Sequence, residues 1–279
     1  MSTKKIILIG SFFALAAAAV NGSVGVFVRN LFDMGFDYYQ VSFYKCTLAF
    51  FILLGICLCN ANMRKELRDI LAKPLPVIVC AFFGLFLLYF FETSAYRFMK
   101  VSEVVLILMV GSVLTTTVLS FVLLRDRIGL TGVLAFVLAM IGIFLLTDVG
   151  GNVSLSGGTI AFIAGVGYGG FLVLSRYFKI KATMPYLCIL FMFGSLYLMV
   201  PYLLYSKPTV PNPQATFDLF ILAVFPTIFG FYFTTKELEY ISSNKAQLIE
   251  LTEPLFALMF AMVFLHEYLT SLQLAAMGL

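Results

Sequence analysis

The sequence predicts an all-α integral membrane protein of ten transmembrane helices, arranged as two five-helix halves of opposite orientation. Three observations carry that expectation. Hydrophobic residues make up 62% of the 279-residue chain and charged residues only 11%, whereas a soluble domain carries roughly 25% charged residues. The mean hydropathy is +1.03. Apolar runs near the ~20 residues that span a bilayer recur along the whole length. Finally, the stretch that begins at Ser102 lies over the stretch from Ser243 to the C-terminus without a gap, at an offset of 141. This places Leu124-Arg125-Asp126-Arg127-Ile128 over Leu265-His266-Glu267-Tyr268-Leu269. A second register, offset by 147, places Asn21-Gly22 over Tyr168-Gly169 and Arg29 over Arg176.

The first run, near 6–28, follows Lys4-Lys5 and contains Ala17-Ala18-Ala19, which together imitate a secretory signal. It continues through Asn21-Gly22 to spanning length and has a counterpart in the second half, so an uncleaved first helix is expected. Further runs follow near 38–59, 75–98, 101–124, 129–147, 157–178, 184–205, 217–240 and 246–265. A tenth starts near Thr270 and stops with the sequence at Leu279, about nine residues short of its counterpart, so the tenth helix is expected to be truncated. The two repeats are expected at 1–150 and 151–279. The longest polar interruptions, Asn60–Lys73 and Lys207–Thr216, are loop-sized and leave no soluble domain.

Basic residues in the loops orient the chain, because cytoplasmic loops carry the excess of Lys and Arg. With the N-terminus inside, the inner loops hold Lys4, Lys5, Arg64, Lys65, Arg68, Lys73, Arg125, Arg127, Arg176, Lys179 and Lys181, against Arg29, Arg97, Lys100 and Lys207 outside. Five helices per half then place the halves in opposite orientations. The loop with Arg125 and Arg127 falls inside, while its counterpart, His266-Glu267-Tyr268, falls outside without Lys or Arg. The net charge of +4 therefore reports topology, and no nucleic-acid partner is expected. The cysteines Cys46, Cys57, Cys59, Cys80 and Cys188 fall in predicted helices, without zinc-type spacing to a histidine, and are expected as free apolar side chains. No metal or cofactor is expected.

The run Ser243-Asn244-Lys245-Ala246-Gln247-Leu248-Ile249-Glu250-Leu251-Thr252-Glu253-Pro254-Leu255-Phe256-Ala257, followed by Phe264-Leu265-His266-Glu267, resembles the EamA family of the drug/metabolite transporter superfamily. In that family a small-residue turn opens the ninth helix, a Glu-Pro sits within it and an acid closes it. Length, ten helices and five-plus-five duplication fit across the chain. The resemblance implies a secondary carrier for a small organic solute, an amino acid or related metabolite, often exported. It also implies a multi-pass protein of the bacterial inner membrane with a cytoplasmic N-terminus, as a monomer or a homodimer. The chain departs from the family pattern at Val113, opposite Pro254, at Asp126 in place of Glu, at His266 in place of Gly, and at Asn21 in place of a first-helix aromatic; it has no Trp.

Charges inside lipid cost about 2.5–3.5 kcal/mol each on insertion scales and are functional candidates by default. Lys45 lies roughly 10 Å deep from the outer end of the second helix, and Glu92 roughly 9 Å deep from the outer end of the third, at ~1.5 Å per residue. The matching depths suggest a pair, or two groups facing one cavity; the alternative is that Lys45 snorkels outward and Glu92 reaches headgroup water. Glu250 and Glu253, at i and i+3, share a face of the ninth helix. Two close carboxylates in a poorly solvated place cannot both ionise cheaply, which is the chemistry of a proton or cation coupling site. The alternative is that Glu253 bonds a neighbouring helix where Pro254 frees a carbonyl, with Glu250 near the inner interface. Their counterparts are Met109 and Ser112.

A central cavity is expected between helices one, three, four, six, eight and nine, with Asn21, Tyr96, Tyr168 and Tyr232 among its walls. Tyr44 and Tyr89 are further polar-tipped aromatics that could face a cationic or aromatic solute. The glycines of the sixth helix match G-x-G-x-x-G without a preceding strand, so no nucleotide site is expected. Gly165 and Gly169 instead allow close helix approach. Pro201, Pro226 and Pro254 interrupt helices seven, eight and nine, and such breaks supply carbonyls or hinges in carriers. A membrane enzyme is the main rival class. Prenyl transfer would need paired Asp-rich motifs, and a serine protease a Ser–His pair, whereas the single histidine, His266, sits at a helix end. A channel or receptor is the second rival, and the repeat favours a carrier over it.

Overall fold

A computed structural model describes residues 3–126 and 154–266, together with positions 134, 137 and 141. Eight helical spans among them are long and apolar enough to cross a membrane. The first, Lys4–Asp33, is two helices, α1 (Thr3–Asn21) and α2 (Val24–Asp33). Then follow α3 (Tyr38–Leu58), a short α4 (Ala61–Ala72), α5 (Leu75–Ala95), α6 (Val101–Leu124), α7 (Leu155–Tyr177), α8 (Met184–Tyr205) and α9 (Pro213–Glu237). The eighth span, Ser243–Phe264, is again divided, into α10 (Ser243–Glu250) and α11 (Glu253–Phe264). The multi-pass membrane character expected from composition is present. The tenth segment, from Thr270, lies outside the described residues. The segment near 129–147 is described only at Leu134, Val137 and Ile141, all exposed.

Most spans are apolar all round, as befits helices with protein on one side and lipid on the other. Leu8, Phe12, Phe51, Val118, Phe121, Val200 and Leu203 are left exposed on the outer surface. Their ends are set by short polar side chains that accept the orphan N–H groups of the first turn. Asp37 and Gln40 form a reciprocal capping box at the start of α3. Thr183, Asn212 and Ser242 cap α8, α9 and α10. Gly35, at φ 88°, makes the α2–α3 turn in a conformation that a side chain would oppose. The Arg29 guanidinium donates to the Met99 carbonyl and ties α2 to the α5–α6 turn.

Two sequence expectations change here. The Asn60–Lys73 interruption is not an irregular loop. It holds α4, capped by Asn60, with Leu67 buried and Arg64, Lys65 and Arg68 on its other faces, the pattern of a helix lying in the membrane interface. And Pro201 does not interrupt its helix, which runs to Tyr205.

α5 and α9 share a backbone irregularity at corresponding positions of the two halves. Wide π-type turns begin at Phe82 in α5 and at Ala223 in α9, positions separated by the offset of 141. The π stretch in α9 contains Pro226, whose missing N–H loosens the hydrogen-bond ladder. α6 and α7 run parallel: Gly165 lies against the Leu108 carbonyl and Gly169 against the Ser112 carbonyl. At the far end of both helices Arg176 meets Asp126 at 2.7 Å. At Gly165 a Cβ would fall on backbone atoms of Leu108 and Ser112, which cannot rotate away. Gly165→Leu is therefore expected to destabilise by about 3 kcal/mol, at the upper end of overpacking costs. At Gly158 the nearest atom is a side-chain methyl at 3.7 Å, so Gly158→Ala should stay within about 0.5 kcal/mol. Thermal unfolding of the two purified variants in detergent checks the contrast.

Candidate functional site

The chain's buried polar groups gather where the broken helices meet. α1 gives way to α2 at Gly22-Ser23, and α10 to α11 at Leu251-Thr252. The two breaks pack together, Gly22 lying against Ala257 and Phe256. Pro254 explains the second break, because it stands at the start of α11 where a missing N–H costs least. The first break has a different origin. Gly22 offers no side chain to stabilise helix, and Ser23 turns its hydroxyl back to the Val20 carbonyl at 2.7 Å.

Beside these breaks lies a narrow cavity of about 20 Å³, room for little more than one water. It is lined from all six helices named above for a central cavity. Asn21 and Val24 come from the first span, Leu88, Tyr89 and Glu92 from α5, and Leu108 and Met109 from α6. Tyr168 comes from α7, Phe231 and Thr234 from α9, and Glu253 from α11. Asn21 and Tyr168, counterparts in the 147 register, thus face one space.

Each expected site residue has a definite place. The Lys45 ammonium is fully buried, 4.0 Å from Glu92 Oε2. It donates to Thr93 Oγ1 at 3.4 Å and sits 3.7 Å from the centre of the Tyr89 ring. It therefore does not snorkel to the surface. Tyr96 donates to Glu92 Oε1 at 3.1 Å and is fully buried, so it stands behind Glu92 instead of on the cavity wall. Tyr232 is not on the wall either. One residue is about 100° of helical turn, and that rotation gives the wall to Phe231 while Tyr232 packs beside Phe233 at the edge of the core.

Glu250 and Glu253 are both buried, on either side of the turn at Leu251-Thr252, and they meet different neighbours. Glu253 lines the cavity. Glu250 is turned toward α7 and α9. Tyr168 donates to its Oε1 at 2.5 Å, and Thr234 Oγ1 lies 3.4 Å from the same oxygen. Its other neighbour is Glu237, at the end of α9, one helical turn beyond Thr234 and fully buried.

Glu237 has no place among the sequence expectations, since Lys236 and Glu239 beside it suggest the wet end of a helix. Those two residues pair with each other at 2.7 Å and leave Glu237 pointing inward. A signal for it exists. Continuing the 141 register upstream of Ser102 places Thr234 over Thr93 and Glu237 over Tyr96, two positions already tied to the Lys45–Glu92 pair. Gln247 is a second addition: its Oε1 accepts from Ser112 Oγ at 2.5 Å and Thr116 Oγ1 at 3.4 Å. The counterparts of Glu253 and Glu250, Ser112 and Met109, are thus in direct contact with the broken helix. All five cysteines are free, and only Cys59 is exposed.

Known proteins give this arrangement a setting. No curated protein matches the chain by sequence. A solved crystal structure aligns over 99% of this chain and 94% of its own, with a TM-score of 0.73 and 17% sequence identity; the likeness is one of fold. A family model described as the EamA-like transporter family matches twice, over residues 8–148 and 155–279. The two matches together cover nearly the whole chain, one for each half. The chain belongs to the EamA-like transporter family of the drug/metabolite transporter superfamily.

Proposed function

We propose that the chain is a secondary carrier that moves a small organic solute across the bacterial inner membrane by alternating access, with coupling to protons. The observation that carries this reading is the cavity at the junction of two broken helices, walled by helices of both halves and bearing Asn21, Glu92, Tyr168 and Glu253 on an otherwise apolar lining. Discontinuous helices that meet at a midplane site are a recurring device of transporters, because they free backbone and side-chain polarity within the bilayer. The two repeats, 1–150 and 151–279, would be five-helix units in opposite orientation. The parallel course of α6 and α7, the fourth and sixth of the expected helices, is what that inversion requires.

The wall chemistry favours a solute that carries an amine, such as an amino acid or a related metabolite. Glu92 and Glu253 offer carboxylates, Tyr89 and Phe231 offer aromatic faces, and Asn21 can both donate and accept. Glu250 and Glu253 are the groups proposed for coupling. Lys45 is held behind Glu92 and beneath Tyr89. The small volume fits a closed state, which must widen to admit solute.

A thermal-shift screen of amino acids, amines, nucleosides and organic acids tests the solute class. A ligand at a hundred times its Kd stabilises by about 2.7 kcal/mol, and the amine-bearing sets should produce that shift. Counterflow in proteoliposomes should then saturate; a flux that neither saturates nor exchanges would identify a pore. Topology has its own test. Single cysteines in Asn60–Lys73 and Lys207–Thr216, on a background with the exposed Cys59 replaced, should label from opposite sides, the former from the cytoplasm. Labelling of both from one side would defeat the orientation.

A further inference from the structure

Behind the cavity, Glu237 is fully buried, and among the described residues neither of its oxygens has a hydrogen-bond donor, nor does Glu250 Oε2. An ionised carboxylate can only accept, so two facing carboxylates repel and leave one another unsatisfied. One proton placed between them converts one partner into a donor and satisfies both. Among the described residues no base pairs with either carboxylate, and Lys245 on α10 is exposed. On α9, Lys236 is engaged with Glu239. Tyr168 faces the pair from α7 and donates to Glu250 Oε1, and α1 carries no ionisable residue beyond Lys4 and Lys5 at its exposed start. The ring of Tyr168 also lines the cavity, so one side chain touches both the solute space and the carboxyl pair.

We propose that Glu237 and Glu250 form a carboxyl–carboxylate pair that holds one exchangeable proton, with Tyr168 as the positioning residue that connects this proton to the contents of the cavity. In the closed state the proton lies between a Glu237 oxygen and Glu250 Oε2, while the Tyr168 hydroxyl occupies Glu250 Oε1. Movement of Tyr168 with the solute withdraws that donor and tightens the hold on the proton; its return loosens it. The pair lies at the end of the bundle where α9 finishes and α10 begins, on the N-terminal side of the membrane. Glu250 is thus a partner of Glu237, and Glu253 faces the solute with Glu92.

The proposal is independent of which solute is carried, and it can be tested with none present. Infrared titration of the purified protein should show a protonated-carboxyl stretch that is lost as pH rises, with the same midpoint in sodium chloride and in choline chloride. Glu237→Gln should remove that component, because the amide donates to Glu250 without a proton. Glu250→Gln should remove it as well, and if that variant does not accumulate, Glu237→Gln decides alone. Tyr168→Phe should retain the component but hold its proton roughly tenfold more tightly, the effect of losing one hydrogen bond to a charged group. A component that keeps its full amplitude and midpoint in Glu237→Gln would place that proton elsewhere, on Glu92 or Glu253. Its loss on adding sodium at constant pH would make the pair a cation site. Either result overturns the proposal, and an unmoved midpoint in Tyr168→Phe overturns the link to the cavity. A failed transport reading would show instead as absent counterflow, which this titration does not measure.

Discussion

Lys45→Met is expected to cost about 3–5 kcal/mol, the range for removing one member of a buried ion pair. The methionine fills the space of the stem, but Glu92 then keeps only the Tyr96 hydroxyl as a donor, and its charge has no counterpart in the described core around it. At 4.0 Å the pair is at the outer limit of direct contact, and the stacking of the ammonium on Tyr89 contributes alongside it. Lys45→Met should accumulate poorly and unfold at lower temperature in detergent. The double variant Lys45→Met/Glu92→Gln removes both charges and should recover most of the loss. A single variant as stable as the wild type would show that Glu92 is neutral in the resting protein and that no ion pair exists to break.

Glu253→Gln is expected to abolish pH-driven accumulation of the solute that the thermal-shift screen selects, while exchange at equal concentrations changes only a few-fold. The glutamine retains the shape of the cavity wall but cannot take up or release a proton, and exchange needs the binding site without the gradient. Accumulation and counterflow measured on one proteoliposome preparation separate the two outcomes. Loss of both, with normal incorporation, would make Glu253 a solute ligand. Unchanged accumulation would remove it from the coupling reading.

The membrane class and the duplication were legible in the chain because both rest on patterns that no tertiary contact can reverse. A chain with 11% charged residues cannot cover itself in water, and the spans described begin and end close to the apolar runs. Lys45, Glu92, Glu250 and Glu253 were also visible as charges inside those runs, since an ionisable group at such depth is costly without a partner. α4 was hidden because the polarity that lets a helix lie at the interface is also the polarity of a loop.

What remained for the tertiary structure was direction and partnership. Depth along a helix places Lys45 and Glu92 at one level, but only packing shows the ammonium enclosed under Tyr89 or separates Phe231 on the wall from Tyr232 off it. Spacing of i, i+3 puts Glu250 and Glu253 near one another, but only packing gives Glu250 to Tyr168 and Thr234 and leaves Glu253 at the cavity. Hydropathy and spacing are properties of one segment, so they can place a residue in the membrane and at a height. Which groups share a proton or enclose a solute depends on the rotation of each helix and on neighbours distant in sequence, and those are settled only when the helices pack.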